Sequence, residues 1–293
     1  MHRLFILFPA LLWLLSSCNP PVRLSPKNVQ TGLDSVEYAG VVERAMDVDL
    51  RPAKFLAKVK VGDLGMSLDC AYPDVLGYAL NKSRAIGGNL VVLTEHKRNE
   101  VKSNCHTIRG EIYQIPSLEG VEKQIRWHPK RPLMPGDLRG SRPAQSSADK
   151  LPPLHCTISC RVGGDYFKEA IIRTETLFWA DSTYRPADTA LTDFARRRAQ
   201  VHFNLAELHA RRLKSALVGL GPDLPAITGQ SRPMTAKQQT ALREEAAAFD
   251  AELAGDRRDA VLERWENKVL AELMALEGFY GQYVVNLRTK KRE

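Results

Sequence analysis

One long amphipathic run narrows the possible folds of this chain more than any other feature. From Asp188 to about Val218, Leu191, Phe194, Arg198, His202, Leu205, His209 and Ala216 recur at spacings of three, four and seven, the period of one helical face. A helix of that length owes most of its stability to packing, so the rest of the chain must supply its cover. Thr235 with Gln238 reads as a capping box opening a helix through about Ala254. Asp256 can cap another, in which Leu262, Trp265, Val269, Leu273 and Leu276 form the buried stripe, and Tyr280, Tyr283, Val284 and Val285 suit a terminal strand. Residues 119–293 therefore read as an α-rich domain.

The chain before it has a different period. Phe55, Ala57, Val59 and Val61 alternate with Lys54, Lys58 and Lys60, the pattern of a half-buried strand, although Leu56 interrupts its polar side. Asp74 can cap a helix from Val75 to Ile86 with Val75, Ala79, Ser83 and Ile86 on one face, and Gly87-Gly88 stops it. Two strands follow, Asn89 to Thr94 and Thr107 to Ile115. Residues 36–118 thus read as a compact β-α-β-β domain, and the whole chain as α+β. Residues 18–35, with Pro20, Pro21, Pro26 and Gly32, read as a flexible tether, and the stretch from Leu118 to Pro153 as an interdomain connection.

At the start, Arg3 precedes an apolar run from Leu4 to Leu15, too short for a stable membrane span and followed at once by small residues, as in an export leader. Leu15-Ser16-Ser17-Cys18 resembles a bacterial lipobox. The resemblance implies that residues 1–17 are removed, that Cys18 is acylated, and that the chain meets a membrane through that lipid. Asn19 after the cysteine, by the same resemblance, implies an outer membrane. With 44% hydrophobic and 26% charged residues the chain has material for packed cores. A net charge of +8, with clusters at Arg196-Arg197-Arg198 and Lys290-Lys291-Arg292, would suit nucleic acid in a cytoplasmic protein. An exported one meets no nucleic acid, and the expected partner is an envelope protein or polymer.

An exported compartment is oxidising, so the four cysteines beyond Cys18 are expected to form two disulfides. Three pairings are possible. Cys70 and Cys105 flank one compact unit and are expected to close it, which leaves Cys156 with Cys160. Within a straight strand those two Cα atoms would lie about 13 Å apart, so that bond needs a turn between them. His155 beside them raises a metal-ligand reading, but no further ligands stand at suitable spacing.

Two family resemblances add to this reading. Cys70-Ala71-Tyr72, the following helix, Gly87-Gly88-Asn89 leading into Val91-Val92-Leu93, and Cys105-His106-Thr107-Ile108 resemble the disulfide-closed domain of the Rcs-type envelope stress-sensor lipoproteins, which implies a binding or sensing module. Further on, Trp127, Arg131-Pro132-Leu133, Asp137-Leu138 and Gly140 resemble the entry segment of a bacterial family of secreted zinc-dependent peptidases. Gln200, His202, Phe203, Glu207, Leu208, Ala210, Arg211 and Leu213 match the frame of that family's long helix, which carries H-E-Q-x-H-F-D. The resemblance implies a zincin-like long helix.

In such a helix two histidines four apart take two corners of a zinc tetrahedron, and the glutamate after the first polarises the bound water. Here those five residues are Arg198-Ala199-Gln200-Val201-His202. A guanidinium cannot ligate zinc and a methyl group is no base, so only His202 remains. Phe249-Asp250-Ala251-Glu252-Leu253-Ala254-Gly255-Asp256 matches the segment that supplies a third histidine in the family, with Gly255 at the ligand position. The expectation is a degenerate site with no catalytic residue, no metal and no cofactor, in which Arg198 reaches Asp250, Glu252 or Glu207 as a charge pair. The competing expectation is an active metallopeptidase recruiting His202 and His209 with Glu207 or Glu252.

Overall fold

A computed structural model describes residues 20–43, 48–62, 70–98, 105–140, 154–165, 168–183, 185, 189–255 and 257–287. Cys18, Asp256 and the cluster at 290–292 lie outside them. The chain is α+β and divides between Val121 and Glu122 into two compact units, close to the boundary expected after Leu118.

The first unit is a five-stranded sheet with one helix. In chain order it contains β1 (Val22–Pro26), β2 (Gly40–Val42), β3 (Lys54–Val61), α1 (Tyr72–Ala85), β4 (Leu90–Arg98) and β5 (His106–Gln114), with strand order β1-β3-β5-β4-β2. All neighbours are antiparallel except β2 and β4. The expected β-α-β-β unit is present, extended by a strand at each edge. One of those strands corrects the tether reading: Val22 to Pro26 pair with β3 from Val61 to Ala57, so the chain is ordered only a few residues after Cys18.

The irregularity at Leu56 also has a cause. The β3–β5 register shifts between Phe55 and Ala57, so Leu56 and Ala57 are both buried while Lys58 and Lys60 remain outside. α1 begins at Tyr72 after Ala71, with Asp74 in its first turn, and buries Val75, Leu76, Ala79, Leu80 and Ser83. Gly87, at φ +83°, ends it: a Cβ there would lie 2.7 Å from the Thr31 carbonyl oxygen. Cys70 and Cys105 are joined, with Cα atoms 4.8 Å apart, and tie the start of the helix to the start of the sheet's central strand, β5.

The second unit holds β6 (Gln124–Arg126), β7 (Cys156–Asp165), β8 (Glu169–Trp179), α2 (Thr189–Val218), α3 (Leu224–Leu253), α4 (Arg258–Ala275) and β9 (Gln282–Asn286). β7 runs antiparallel along the length of β8, while β6 and β9 pair with its two ends. This sheet is absent from the α-rich expectation, apart from the terminal strand. Residues 124–126 belong to it, so the segment after Leu118 is not merely a connection.

α2 packs against β7 and β8 on one side and against α3 and α4 on the other. Because both sides are covered, the helix is buried on most of its circumference from Arg198 to Lys214, while Leu191 and Ala216 of the expected stripe are exposed. α3 starts earlier than expected. Pro225 stands in its first turn and the Asp223 carboxylate accepts from Ala226 N at 2.9 Å. Thr235 lies inside the helix, its hydroxyl donating to the Ser231 carbonyl, so it caps nothing. The stripe of α4 is buried as expected at Leu262, Trp265, Val269 and Leu273.

The second disulfide is not formed. Cys156 and Cys160 lie on the same uninterrupted strand, opposite Phe178 and Thr174, and both are free. No turn separates them, so the separation that made a bond awkward makes it impossible here. They pack instead against the core under α2, where burial pushes their thiols up to about 12 and about 11 respectively.

Candidate functional site

α2 brings Arg198 and His202, one turn apart, to the same side as Asp250 near the end of α3. Arg198 Nε donates to Asp250 Oδ1 at 2.7 Å and its Nη2 donates to Oδ2 at 2.8 Å, a two-bond fork. His202 Nε2 lies 3.0 Å from the same Oδ1. Arg198 is 3% exposed and the His202 ring packs on Phe249, which in turn packs on Trp265.

Burial works to raise the Asp250 carboxyl. The hydrogen bonds and charges of His202 and Arg198 outweigh it and hold the group at about 2. Burial pushes His202 down, favouring the neutral imidazole, against the opposing pull of Asp250. Arg198 is therefore the charge partner of Asp250. Its guanidinium engages both carboxylate oxygens, so a dication placed against them would have to displace it.

The other positions of the H-E-x-x-H frame point elsewhere. Ala199 is fully buried in an apolar cluster with Ile125, Leu133, Leu138, Phe178 and Phe203, so even a glutamate there would face core, not Asp250. Gly255 lies beyond the end of α3, its amide on the Glu252 carbonyl. Glu252 accepts from Arg264 and from Trp265 Nε1. Glu207 is held on another face of α2, accepting from Arg211 Nε at 2.9 Å and from the Thr176 hydroxyl at 2.9 Å. Burial pushes its carboxyl up, with Arg211 opposing.

His209 sits against Gln238 and Glu245, and Glu245 also accepts from Arg212 and Lys268. The His209 hydrogen bond leads the partners that hold Glu245 well below the usual carboxylate range. The proposed unconventional ligands His202, His209, Glu207 and Glu252 thus have four separate sets of partners. Among the described residues no three His, Cys, Asp or Glu side chains converge as a metal site would require. His155 is exposed and packs edge to face on Trp179.

Trp127 and Leu133 do meet Gln200 and Asn204 of α2 in space. Leu133 N donates to Gln200 Oε1 at 2.7 Å, Gln200 Nε2 donates to Asn204, and Trp127 Nε1 donates to the same Asn204 oxygen at 2.9 Å. Arg131 makes a buried fork to Asp137 at 2.8 and 2.9 Å. Gly140 lies so close to the Asp181 and Thr183 carbonyls that a Cβ would sit 2.5 and 2.6 Å from them. Trp127 and Leu133 are thus tied to the middle of α2, while Gly140 is held against the turn after β8. Sequence reasoning missed the Gln200–Asn204 relay and the Glu245 network, because polar residues on a helix reveal no partner until the helices are docked.

Comparison with protein-family models, with curated proteins and with solved structures finds no match to this chain.

Proposed function

We propose that this is a lipid-anchored cell-envelope protein whose second unit has a peptidase-like frame in which an ion pair replaces the metal, and that it binds a protein or envelope ligand without cleaving it. The observation that carries this reading is the Arg198–Asp250–His202 cluster. It lies where the H-E-x-x-H resemblance would put two ligands, yet a guanidinium takes the place of one of them and ties α2 to α3. Such a fork joins two helices, as a metal would, without supplying a Lewis acid or an activated water. The Cys70–Cys105 bond supports an oxidising compartment, and the acyl anchor on Cys18 follows from the lipobox resemblance.

The test is calorimetric titration of the purified chain with zinc, alongside a chelator-sensitive protease assay. No stoichiometric zinc uptake and no chelator-sensitive hydrolysis are expected. Tight one-to-one zinc, lost together with hydrolysis on His202→Ala, would overturn the reading.

A further inference from the structure

The outer face of the first sheet carries a charge arrangement that a sensing module alone does not explain. Along β3, Ala57, Val59 and Val61 turn toward α1, so Lys58 and Lys60 stand on the opposite side. Register places Arg23 of β1 and Arg109 of β5 directly beside Lys60, one on each flank. Like charges directly opposite one another destabilise a strand pair, and here three adjacent strands align cations in one row. Glu95 pairs with Arg109 at 3.1 Å and with Lys97, and Glu111 lies 3.9 Å from Lys58. Among the described residues no direct ion pair reaches Arg23 or Lys60, Glu95 acts on Lys60 only at longer range, and the face keeps an excess of exposed positive charge.

The chain between Cys18 and this sheet is also short. β1 starts at Val22, so only Asn19, Pro20 and Pro21 separate it from Cys18. Even fully extended, that stretch holds Val22 within about 14 Å of the Cys18 Cα. A leash this short lets the row settle against a bilayer surface, within the screening length of about 8 Å over which its charge acts. We propose that the Arg23–Lys60–Arg109 row seats this sheet face on the anionic phospholipid surface that holds the Cys18 lipid. The proposal rests on the lipid-anchor reading of Cys18. It makes the first unit a membrane-apposed module in place of one swinging on a long tether.

The test uses residues 18–293 carrying Cys18→Ser, which keeps every described residue and removes the acyl chains. Its binding is measured by co-sedimentation with vesicles of phosphatidylglycerol and phosphatidylethanolamine, and with vesicles of phosphatidylcholine. Each lysine or arginine near an anionic surface strengthens binding by about fivefold, so R23S/K60S/R109S should weaken it by about 100-fold. R23K/R109K should retain it, and an intact Cys70–Cys105 bond with an unchanged circular dichroism spectrum shows that each variant is folded. Equal binding to both vesicle types, or no loss in the triple serine variant, would overturn the proposal. Equal affinity for duplex DNA through the same three residues would overturn lipid as the partner. Mass measurement of the cell-derived chain tests the anchor separately. An unacylated Cys18 refutes the anchor whatever the vesicles show, and charge-independent vesicle binding refutes the row whatever the mass shows.

Discussion

Replacing Asp250 by Asn keeps the side-chain shape and removes the charge that Arg198 and His202 share. Arg198 is buried, so it would be left as a cation with one neutral acceptor in place of a two-bond carboxylate. Breaking a buried pair from one side costs about 3 to 5 kcal/mol. The Asp250 side chain is 31% exposed, so water can compensate in part, and about 2 to 4 kcal/mol is expected. With a urea slope of about 2 kcal/mol per molar, the midpoint moves by about 1 to 2 M. Tryptophan fluorescence reports the relevant unit, since apart from Trp13 the tryptophans are Trp127, Trp179 and Trp265 and all three lie in the second unit. Arg198→Met combined with Asp250→Leu removes both charges and should recover most of the loss, giving a coupling of about 1 to 3 kcal/mol.

The same pair sets an acid limb. The folded Asp250 carboxyl is held at about 2, below its ordinary 3.8, so its contribution is complete above about pH 4 and disappears as pH falls toward 2. Discounted for exposure, that limb amounts to about 1.5 kcal/mol, and Asp250→Asn should lose it. A loss below about 0.5 kcal/mol for Asp250→Asn, typical of a surface change, would refute the reasoning. So would a double variant no more stable than the single one.

Arg198→His alone should create measurable, roughly one-to-one zinc binding by calorimetry, because it sets two imidazoles a helical turn apart beside the Asp250 carboxylate; no gain in the folded variant would show that α2 and α3 do not meet in this register. Adding Ala199→Glu should instead unfold or strongly destabilise the second unit, since it buries a carboxylate among Ile125, Leu133 and Phe203. Non-reducing peptide mapping should join Cys70 to Cys105 and find Cys156 and Cys160 as thiols, with Cys70→Ser together with Cys105→Ser costing the first unit about 2 to 4 kcal/mol in urea unfolding. Lys214, buried and donating to the Phe279 and Gly281 carbonyls, has its ammonium pushed down to about 8 by burial. Its folded value lies below its ordinary 10.5, so the unfolded chain binds more protons between those values and stability should rise over that range, a rise that Lys214→Met should lack.

Local pattern alone determined a good part of this protein. The alternation along Lys54–Val61, the stripe of Leu262, Trp265, Val269 and Leu273, the Gly87-Gly88 stop and the long helix over 189–218 all depend on which side of one element is apolar, and neighbouring residues in the chain carry that information. That residues 198–202 do not spell H-E-x-x-H is equally local, because it is a matter of residue identity. Docking decided the rest. Arg198 had three acidic candidates within reach, and only the packing of α2 on α3 selected Asp250. The hairpin of β7 and β8 turned Cys156 and Cys160 from a presumed pair into two core thiols, since strand geometry holds residues four apart too far for a bond. Val22–Pro26 has few apolar residues and two prolines before it; it becomes a strand because the open edge of β3 offers it backbone partners. The row of Arg23, Lys60 and Arg109 likewise exists only in the register between three strands that are far apart in the chain. Periodicity names the face a residue occupies, but a partner across space is set by how whole elements pack, and no run of neighbouring residues encodes it.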